Sequence, residues 1–291
     1  MKKILITGGS GYIASHVADM LSKFGHKVFI FDKIKSQYLS NKQIMIQGDI
    51  TDEKKILNST KNIDVVYHFA AVADIYEANK NPNKTIKTNI LGTLNILEAC
   101  RLNKIKKIIL ASSIYALSEQ GKFYSTSKLC SEMLVENYSK KFNFQFVTLR
   151  FGSIYGGRAN KFNTIRNFIL EGIKTKKIIR KSDGAEERNY IHVLDASKLC
   201  IEVLKPKYSG EYFNIFGPKK MKLKKLLTII KTNLGNVDLY FKKKCSLIYN
   251  YKRSPFSYKI RKGKNLKLKS YKNLKLGIKQ IIQIERKNEK K

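Results

Sequence analysis

The stretch that decides the fold is Lys3-Ile4-Leu5-Ile6-Thr7-Gly8-Gly9-Ser10-Gly11-Tyr12-Ile13-Ala14. A short apolar run leads into a glycine-rich turn and then into a segment from Tyr12 to Phe24 whose apolar residues recur at helical spacing. A strand, a turn and a helix in this order are typical of the first unit of a parallel α/β sheet. Gly8 and Gly11 allow backbone amides and the helix N-terminus to approach a pyrophosphate, so the stretch predicts a dinucleotide site.

The choice of dinucleotide is predicted from Asp32, which ends the next apolar run 21 residues beyond Gly11. A carboxylate at this place can accept hydrogen bonds from both hydroxyls of the adenosine ribose and repels a 2′-phosphate, which favours NAD over NADP. Lys33 follows directly, so the residues alone leave NADP open. The turn supplies the other predicted cofactor contacts, which are Gly8, Gly11, Tyr12 and Ile13.

Strand-like and helix-like segments continue to alternate through the first half of the chain. Near-continuous apolar runs, which indicate burial on both faces of a sheet, lie at 27–31, 44–46, 64–69, 107–111 and 144–149. Long helical patterns cover 84–102 and 124–142. The predicted fold class is therefore α/β, a doubly wound parallel sheet of the Rossmann type with helices on both faces.

The rhythm loosens after Arg150, where three glycines, a helix near 163–173 and a strand near Ile178 follow. We predict an NAD-binding domain over residues 1–157, which residues 189–204 rejoin. Residues 158–188 and 205–291 are predicted to form a smaller, C-terminal substrate-binding lobe, in which 223–234 is helical and the last part is rich in lysine.

A second informative segment is Tyr124-Ser125-Thr126-Ser127-Lys128 at the start of a predicted helix. Residues four apart share one helical face, so the Lys128 ammonium can lower the pKa of the Tyr124 phenol and make it a usable base. The pair follows the strand that ends in Ala111-Ser112-Ser113, and the carboxyl ends of such strands face the ligand crevice. Ser112 and Ser113 are rival candidates for a catalytic hydroxyl, of which we favour Ser113.

Together, nine ordered motifs resemble the extended short-chain dehydrogenase/reductase family, in its nucleotide-sugar epimerase/dehydratase branch. They are Thr7–Ile13, Asp32, Gly48-Asp49-Ile50, His68-Phe69-Ala70-Ala71, Asn89–Thr93, Ser112-Ser113, Tyr124-x-x-x-Lys128, Leu149–Gly156 and Arg188–Asp195, within residues 1 to about 217. Ala14, Ser153 and Gly157 depart from common residues of the family, and the segment after Ser113 is shorter than usual.

The resemblance implies roles for residues that spacing alone does not single out. It implies that Asp49 and Ile50 border the adenine and that Phe69, Ala70 and Ala71 lead to the nicotinamide, with Asn89 near the inner half of the cofactor. It also implies that Lys128 binds the nicotinamide ribose, that Ser113 binds the reacting sugar hydroxyl, and that Ser153 and Arg188 contact the substrate, Arg188 through its diphosphate. Such proteins commonly dimerise through the helices that correspond to 84–102 and 124–142, so a homodimer is expected. The region 219–291 matches the family poorly.

The composition narrows the remaining classes. The chain has 58 Lys+Arg against 22 Asp+Glu, a net charge of +36, but the excess is mostly scattered lysine, so we expect a compositional bias and no specific nucleic-acid surface. Such a field still attracts anionic small substrates. No apolar run approaches the roughly 18 residues of a membrane span, and the first apolar run is too short for a signal peptide. We therefore expect a cytoplasmic protein with no membrane partner. We also expect no metal site, because the spacing typical of metal ligands is absent from the four histidines and from Cys100, Cys130, Cys200 and Cys245.

The leading functional hypothesis is an NAD-dependent nucleotide-sugar 4-epimerase that resembles UDP-glucose 4-epimerase and acts through a transient keto-sugar, with a UDP-sugar as substrate. A dehydratase or reductase of the same family is the alternative among enzymes. Ser113 is followed by apolar Ile114, where the dehydratases of this family carry an Asp-Glu pair, and this favours the epimerase. A non-catalytic dinucleotide-sensing regulator is the alternative outside enzymes, although it has no need of the Tyr124–Lys128 pair.

Overall fold

A seven-stranded parallel sheet forms the centre of the computed structural model, which describes residues 1–241 and Phe256. All these residues belong to one compact unit, Met1–Tyr258. The strands of the central sheet are β1 (Lys3–Thr7), β2 (Lys27–Asp32), β3 (Gln43–Gln47), β4 (Val65–His68), β5 (Lys107–Ser113), β6 (Gln145–Phe151) and β10 (Glu211–Ile215). The remaining strands are β7 (Ser153–Tyr155), β8 (Lys177–Arg180), β9 (Glu187–His192), β11 (Lys220–Lys222) and β12 (Asp238–Phe241).

The helices are α1 (Tyr12–Lys23), α2 (Glu53–Ser59), α3 (Ile75–Lys80), α4 (Pro82–Ile86), α5 (Gly92–Leu102), α6 (Phe123–Phe142), α7 (Thr164–Thr175), α8 (Val193–Glu202) and α9 (Leu223–Leu234). Short 3₁₀ turns lie at Ile114–Leu117, Glu119–Gly121 and Pro206–Tyr208. The central sheet runs in the order β10-β6-β5-β4-β1-β2-β3. The order therefore reverses between β1 and β4, and crevices at such switch points bind ligands in open α/β sheets.

Both faces of the sheet are buried, as the apolar strands predict. Ile4 and Ile6 of β1 pack with α1 and α8 in one hydrophobic cluster, whereas Leu5 between them packs with α2, α5 and α6 in another. Successive side chains of a strand point to opposite faces, which explains the division. The helices thus cover the two faces of a doubly wound sheet, which confirms the predicted fold class.

The helical segment expected over 84–102 is not one continuous α-helix. The chain forms α4, then a π-helical turn at Lys87–Leu91, and then α5. A π turn accommodates an extra residue in the helix and frequently occurs at functional sites. Here it carries Asn89, whose side chain is buried between neighbouring segments.

Two segments depart from the predicted division of the chain. Residues 211–215, expected in the smaller lobe, form the edge strand β10 and pair with β6 in the central sheet. Residues 187–192 form β9, which pairs with β7 and β11 outside the central sheet. Of the range 189–204, which was expected to rejoin the NAD-binding domain, only helix α8 does so, by packing beside α1. Backbone pairing over long sequence separations, rather than local pattern, places both strands.

A third hydrophobic cluster lies among α7, β8, α9 and β12. Its buried residues are Phe168, Ile178, Leu226, Leu227, Ile230 and Val237. This separate core agrees with the smaller lobe expected from 158–188 and from the helix at 223–234, although the lobe boundaries themselves stay a prediction. Cys245 and the lysine-rich part of the predicted lobe beyond residue 241, Phe256 apart, lie outside the described residues.

Candidate active site

The glycine-rich turn joins β1 to α1 at the switch point of the sheet. Gly8 has φ +70°, and a Cβ atom there would lie 2.6 Å from the backbone nitrogen of Ala70. Gly11 precedes α1, its N–H donates to the Gly8 carbonyl at 2.9 Å, and no side chain caps the helix. Backbone and helix N-terminus are therefore open to a pyrophosphate, and these residues fit a dinucleotide.

Asp32 ends β2 next to this turn. Its Oδ2 accepts from the Ser10 backbone N–H at 3.1 Å and its Oδ1 accepts from the Ile34 N–H at 3.1 Å. These bonds fix the carboxylate at the rim of the crevice, and each oxygen retains a second lone pair for a ribose hydroxyl.

One cavity of about 1060 Å³ is lined by predicted binding residues of both ligands, although Asn89, Ser113 and Lys128 are not among its lining residues. The predicted cofactor contacts that line it are Gly8, Gly11, Tyr12, Ile13, Asp32, Asp49, Ile50, Phe69, Ala70 and Ala71. The predicted substrate contacts Ser153 and Arg188 line the same cavity. Burial would raise the pKa of Asp49, but hydrogen bonds from Thr51 and the charges of Lys33 and Lys87 hold it below its usual value. The volume lies at the upper end of the range usual for ligand sites in proteins.

The candidate catalytic residues meet where β5 ends. The hydroxyl of Ser113, the last residue of β5, interacts with the phenol of Tyr124 on α6 and lowers its pKa. Lys128, one helical turn further, donates from Nζ to the Ala111 carbonyl at 3.0 Å. Burial raises the pKa of Tyr124 to about 12, against the effect of the Ser113 hydroxyl. Burial likewise lowers the pKa of Lys128 to about 8, against the nearby Glu132 carboxylate.

The structure distinguishes the two adjacent serines. The Ser112 hydroxyl donates to Glu132 Oε1 at 2.5 Å, and Arg150 holds the same carboxylate through Nε at 3.0 Å and Nη2 at 2.6 Å. Ser112 thus belongs to a buried ionic cluster, while Ser113 alone of the two contacts Tyr124. This arrangement favours Ser113 as the hydroxyl available for chemistry.

The three candidate catalytic side chains are buried, with 6 to 8% exposure, and do not themselves line the cavity. The wall nearest to them includes residues 71–76, and the charge of Asp74 acts on the Tyr124 phenol. Helix α3, which begins at Ile75, packs against α6. This segment therefore shields the phenol from the crevice in the structure.

Asn89 acts between segments rather than at the cavity wall. Its Oδ1 accepts from the Val72 N–H at 2.7 Å, and its Nδ2 donates to the Val72 carbonyl at 3.2 Å and to Ser127 Oγ at 2.9 Å. The carboxamide thus ties the strand-like segment after Ala71 to α6. Its expected place near the inner half of the cofactor stays a prediction, but its bonds in the structure are those of a positioning residue.

Sequence reasoning did not foresee a hydrogen-bond chain through His68. Thr93 Oγ1 donates its proton to the Asn89 carbonyl at 2.6 Å, so it accepts from His68 Nε2 at 2.9 Å. Because Nε2 carries the ring proton, His68 Nδ1 accepts from Thr7 Oγ1 at 2.7 Å. Burial, followed by the charge of Lys128, lowers the pKa of His68 to about 3, so the ring is neutral. The chain joins the glycine-rich turn to the π turn, and the sequence marked His68 only by its place at a strand end and in the motif His68-Phe69-Ala70-Ala71.

The substrate end of the cavity also contains residues that no motif identified. Among them are Asn163, which caps α7, and Arg180, whose guanidinium lies 4.3 Å from the Phe168 ring centroid and pairs with Glu171. Glu186 lines the same end. These residues lie at the ends of short elements, Asn163 before α7, Arg180 at the end of β8 and Glu186 before β9, and no local pattern in the sequence marks them.

Cys100, Cys130 and Cys200 are free thiols. No group of three or more described His, Cys, Asp and Glu side chains could hold a metal ion. No helix in the described part of the chain is long and apolar enough to cross a bilayer.

Fold and site together define a dinucleotide-dependent α/β enzyme with a buried tyrosine, lysine and serine beside its crevice. The chain belongs to the NAD dependent epimerase/dehydratase family, whose sequence profile matches residues 4–217. This membership confirms the resemblance seen in the sequence, the NAD cofactor and an enzymatic role.

Three known proteins illustrate the similarity. A Methanocaldococcus jannaschii protein with the provisional name UDP-glucose 4-epimerase is 29% identical over 306 residues, which cover 96% of this chain and 97% of that protein. Human dTDP-D-glucose 4,6-dehydratase is 29% identical over 260 residues, 79% of this chain and 74% of the enzyme. The crystal structure of Thermotoga maritima UDP-glucose 4-epimerase with UDP-glucose has a TM-score of 0.79 and 25% identity, covering 88% of this chain and 90% of that one.

Proposed function

We propose that the protein is an NAD-dependent nucleotide-sugar 4-epimerase, similar to UDP-glucose 4-epimerase, that acts through a transient keto-sugar. The observation that carries the proposal is the grouping of Ser113, Tyr124 and Lys128 at the carboxyl end of β5, where Ser113 acts on the Tyr124 phenol and Lys128 lies one helical turn further along α6. Similarity to a provisionally named UDP-glucose 4-epimerase along almost the whole chain supports the same reaction.

The residues of the chain supply the proton chemistry. When bound, NAD supplies reversible uptake of hydride from the carbon that carries the reacting hydroxyl. Tyr124 takes the hydroxyl proton, directly or through Ser113, and returns it when the keto group is reduced from the opposite face. Lys128 favours the phenolate by charge. Because burial raises the pKa of the Tyr124 phenol to about 12, Tyr124 needs a stabilising positive charge to act as a base near neutral pH.

The surroundings of Ser113 favour epimerisation over dehydration. Elimination of water needs an additional acid and base beside the catalytic hydroxyl. Ser113 is followed by Ile114, which is buried, and by Tyr115 and Ala116 in a 3₁₀ turn. None of these three is a carboxylic acid, whereas a dehydratase such as the human relative remains the alternative by sequence similarity.

The substrate end of the cavity suits an anionic nucleotide sugar. Arg188 and Ser153 line it, and we propose that Arg188 contacts the diphosphate. A UDP-sugar is the proposed substrate because the similar Thermotoga enzyme was solved with UDP-glucose. The Tyr124 phenol must be reached through the segment 71–76, so we expect that segment to move when both ligands bind.

The reaction is tested by incubating the NAD-loaded protein with a panel of UDP-, dTDP- and GDP-sugars, followed by mass spectrometry and NMR of the sugar. We expect a product of unchanged mass with an inverted carbon and no accumulation of NADH. Loss of one water would identify a dehydratase, and a stoichiometric rise in NADH would identify a dehydrogenase. Ser113→Ala should abolish conversion, with Ser118→Ala as a control on the adjacent loop.

We also propose a homodimer formed through the helices of 84–102 and 124–142, in a cytoplasmic protein. Leu102 and Met133 on these helices are 52% and 57% exposed, which leaves apolar area on the proposed contact face. Light scattering of the parent should give twice the chain mass, and Met133→Lys should reduce it. Leu199→Lys, an exposed apolar position on α8, is the matched control and should leave the mass unchanged.

A further inference from the structure

Strand β9 presents alternate side chains to the substrate end of the cavity. Tyr190 and Arg188 line the cavity, and so does Glu186 immediately before the strand, while Glu187 and Asn189 between them do not. This alternation follows from the two-residue repeat of a strand. Glu186, Arg188 and Tyr190 thus form a row along one wall.

The register of the strands orients this row. Ser113 of β5 pairs with Phe151 of β6, and Ser153, two residues later, pairs with Tyr190 of β9. Tyr190 is therefore the member of the row beside Ser153, just beyond the carboxyl end of β6, whereas the Glu186 carbonyl accepts from the N–H of Leu223 on α9, which packs against the third cluster; the row thus leads from the central sheet into that cluster. Each step of two strand residues spans about 7 Å, so Arg188 and then Glu186 lie successively further from the Ser153–Tyr190 pair.

The Glu186 carboxylate is buried without the partners that such a group requires. The residue is 8% exposed, and its Oε2 is buried and accepts no hydrogen bond. Among the described residues it forms no ion pair, although Arg180 and Lys181 line the same cavity. A buried oxygen of this kind is unfavourable until a donor reaches it. The backbone carbonyl of Glu186 accepts from the N–H of Leu223, the first residue of α9, which holds the residue in place.

A carboxylate only accepts hydrogen bonds, so its ligand must be a donor. The diphosphate is excluded by charge repulsion, and we assign it to Arg188, one strand step closer to the Ser153–Tyr190 pair and to the central sheet. In a nucleotide sugar the diphosphate joins the sugar to the ribose of the nucleoside. The ribose therefore lies on the side of the diphosphate away from the sugar, and it has two neighbouring hydroxyl donors. Asp32 at the opposite end of the cavity is placed to make the same kind of contact with the adenosine ribose.

We propose that Glu186 accepts a hydrogen bond from the vicinal hydroxyls of the substrate ribose and makes the enzyme selective for ribonucleotide over 2′-deoxyribonucleotide sugars. This inference rests on the proposed function, because it assumes a nucleotide sugar with its diphosphate at Arg188. It assigns a specificity-determining residue to the nucleoside end of the cavity.

The test measures binding without turnover, by isothermal titration calorimetry of the full chain saturated with NAD. The ligands are UDP, 2′-deoxy-UDP and N3-methyl-UDP, and the diphosphates of adenosine, guanosine and cytidine with their 2′-deoxy partners. The proteins are the parent, Glu186→Gln, Glu186→Ala and the control Glu187→Gln, whose side chain does not line the cavity. NAD affinity and the melting temperature report whether each variant is folded.

We expect the parent to bind UDP roughly tenfold to a hundredfold more tightly than 2′-deoxy-UDP, the size of one hydrogen bond to a charged group. Glu186→Ala should bring that ratio close to one, and Glu187→Gln should keep it. A ratio near one in the parent, or an unchanged ratio in both Glu186 variants, would overturn the assignment. Loss of discrimination against N3-methyl-UDP alone would overturn it in favour of the base N–H.

The outcomes also separate this inference from the proposed function. Tight binding of another base with the same 2′-hydroxyl dependence would correct the nucleotide and support the role of Glu186. Absence of binding by every diphosphate would overturn both. Normal conversion of a UDP-sugar by Glu186→Ala, together with an unchanged preference for ribose, would leave the function standing and remove only the role of Glu186.

Discussion

Replacing Glu132 with alanine should destabilise the protein more than most single changes on α6. Glu132 is 2% exposed, and its carboxylate receives the Ser112 hydroxyl and two N–H groups of Arg150. The Arg150 side chain is itself only 16% exposed and lies over the Tyr212 ring at 4.8 Å. The substitution therefore leaves a largely buried guanidinium and a buried hydroxyl without their acceptor.

The size of the effect follows from this burial. Removing one partner of a buried ion pair costs about 3–5 kcal/mol, because the other charge stays desolvated. Since each kcal/mol lowers the melting temperature of a domain of 150–250 residues by about 2–4 °C, the expected decrease is roughly 6–20 °C. Lys140→Ala is the matched control on α6, because the exposed Lys140 pairs with Glu136 and such surface pairs contribute about 1 kcal/mol or less.

The same carboxylate also acts on the candidate catalytic lysine. Burial lowers the pKa of Lys128, and the negative charge of Glu132 opposes that decrease. Glu132→Gln keeps the shape and removes the charge, so it should lower the pKa of Lys128 further and move the corresponding limb of the pH–rate profile to lower pH. Calorimetric melting and pH–rate measurements on the variants test both effects. A melting temperature of Glu132→Ala within about 3 °C of the parent, no larger than a surface substitution gives, would refute the reasoning.

Four further predictions concern the site. Tyr124→Phe should reduce turnover by about a hundredfold or more with NAD binding intact, and normal turnover would make the tyrosine structural. Asp32→Ala should narrow a preference for NAD over NADP in calorimetric titrations, and equal affinities in the parent would contradict the role of this carboxylate. Ser112→Ala should lower the melting temperature and retain turnover, whereas Ser113→Ala should abolish turnover and leave the melting temperature almost unchanged. Loss of turnover in Ser112→Ala with normal turnover in Ser113→Ala would exchange the roles of the two serines. The pKa of Lys128 is about 8 in the folded protein, against an ordinary value of 10.5, so between these pH values the unfolded chain binds more protons than the folded one. The free energy of unfolding, measured with denaturant, should therefore rise from pH 8 to 10 relative to that of Lys128→Met, by up to about 1.4 kcal/mol per pH unit. A difference between the two proteins that does not change with pH would place the ammonium in water.

The sequence by itself determined the features that depend on local spacing. Apolar runs with the period of a buried strand, the glycine-rich turn and the helical pattern after Tyr12 predict the first β-α-β unit and its dinucleotide site. The four-residue spacing of Tyr124 and Lys128 places both on one helical face. Helix and strand periods act over a few residues, so they can be read without knowing which segments meet.

Tertiary structure alone decided which segments meet and which polar groups satisfy one another. Glu211–Ile215 became an edge strand of the central sheet through pairing with β6, more than 60 residues earlier in the chain. Asn89 lies in a π turn that bonds Val72 and Ser127. Ser112 differs from Ser113 because Glu132 and Arg150, distant in sequence, take its hydroxyl into their ion pair. These outcomes depend on the desolvation and pairing of groups from separate segments, and no local pattern in the sequence records that pairing.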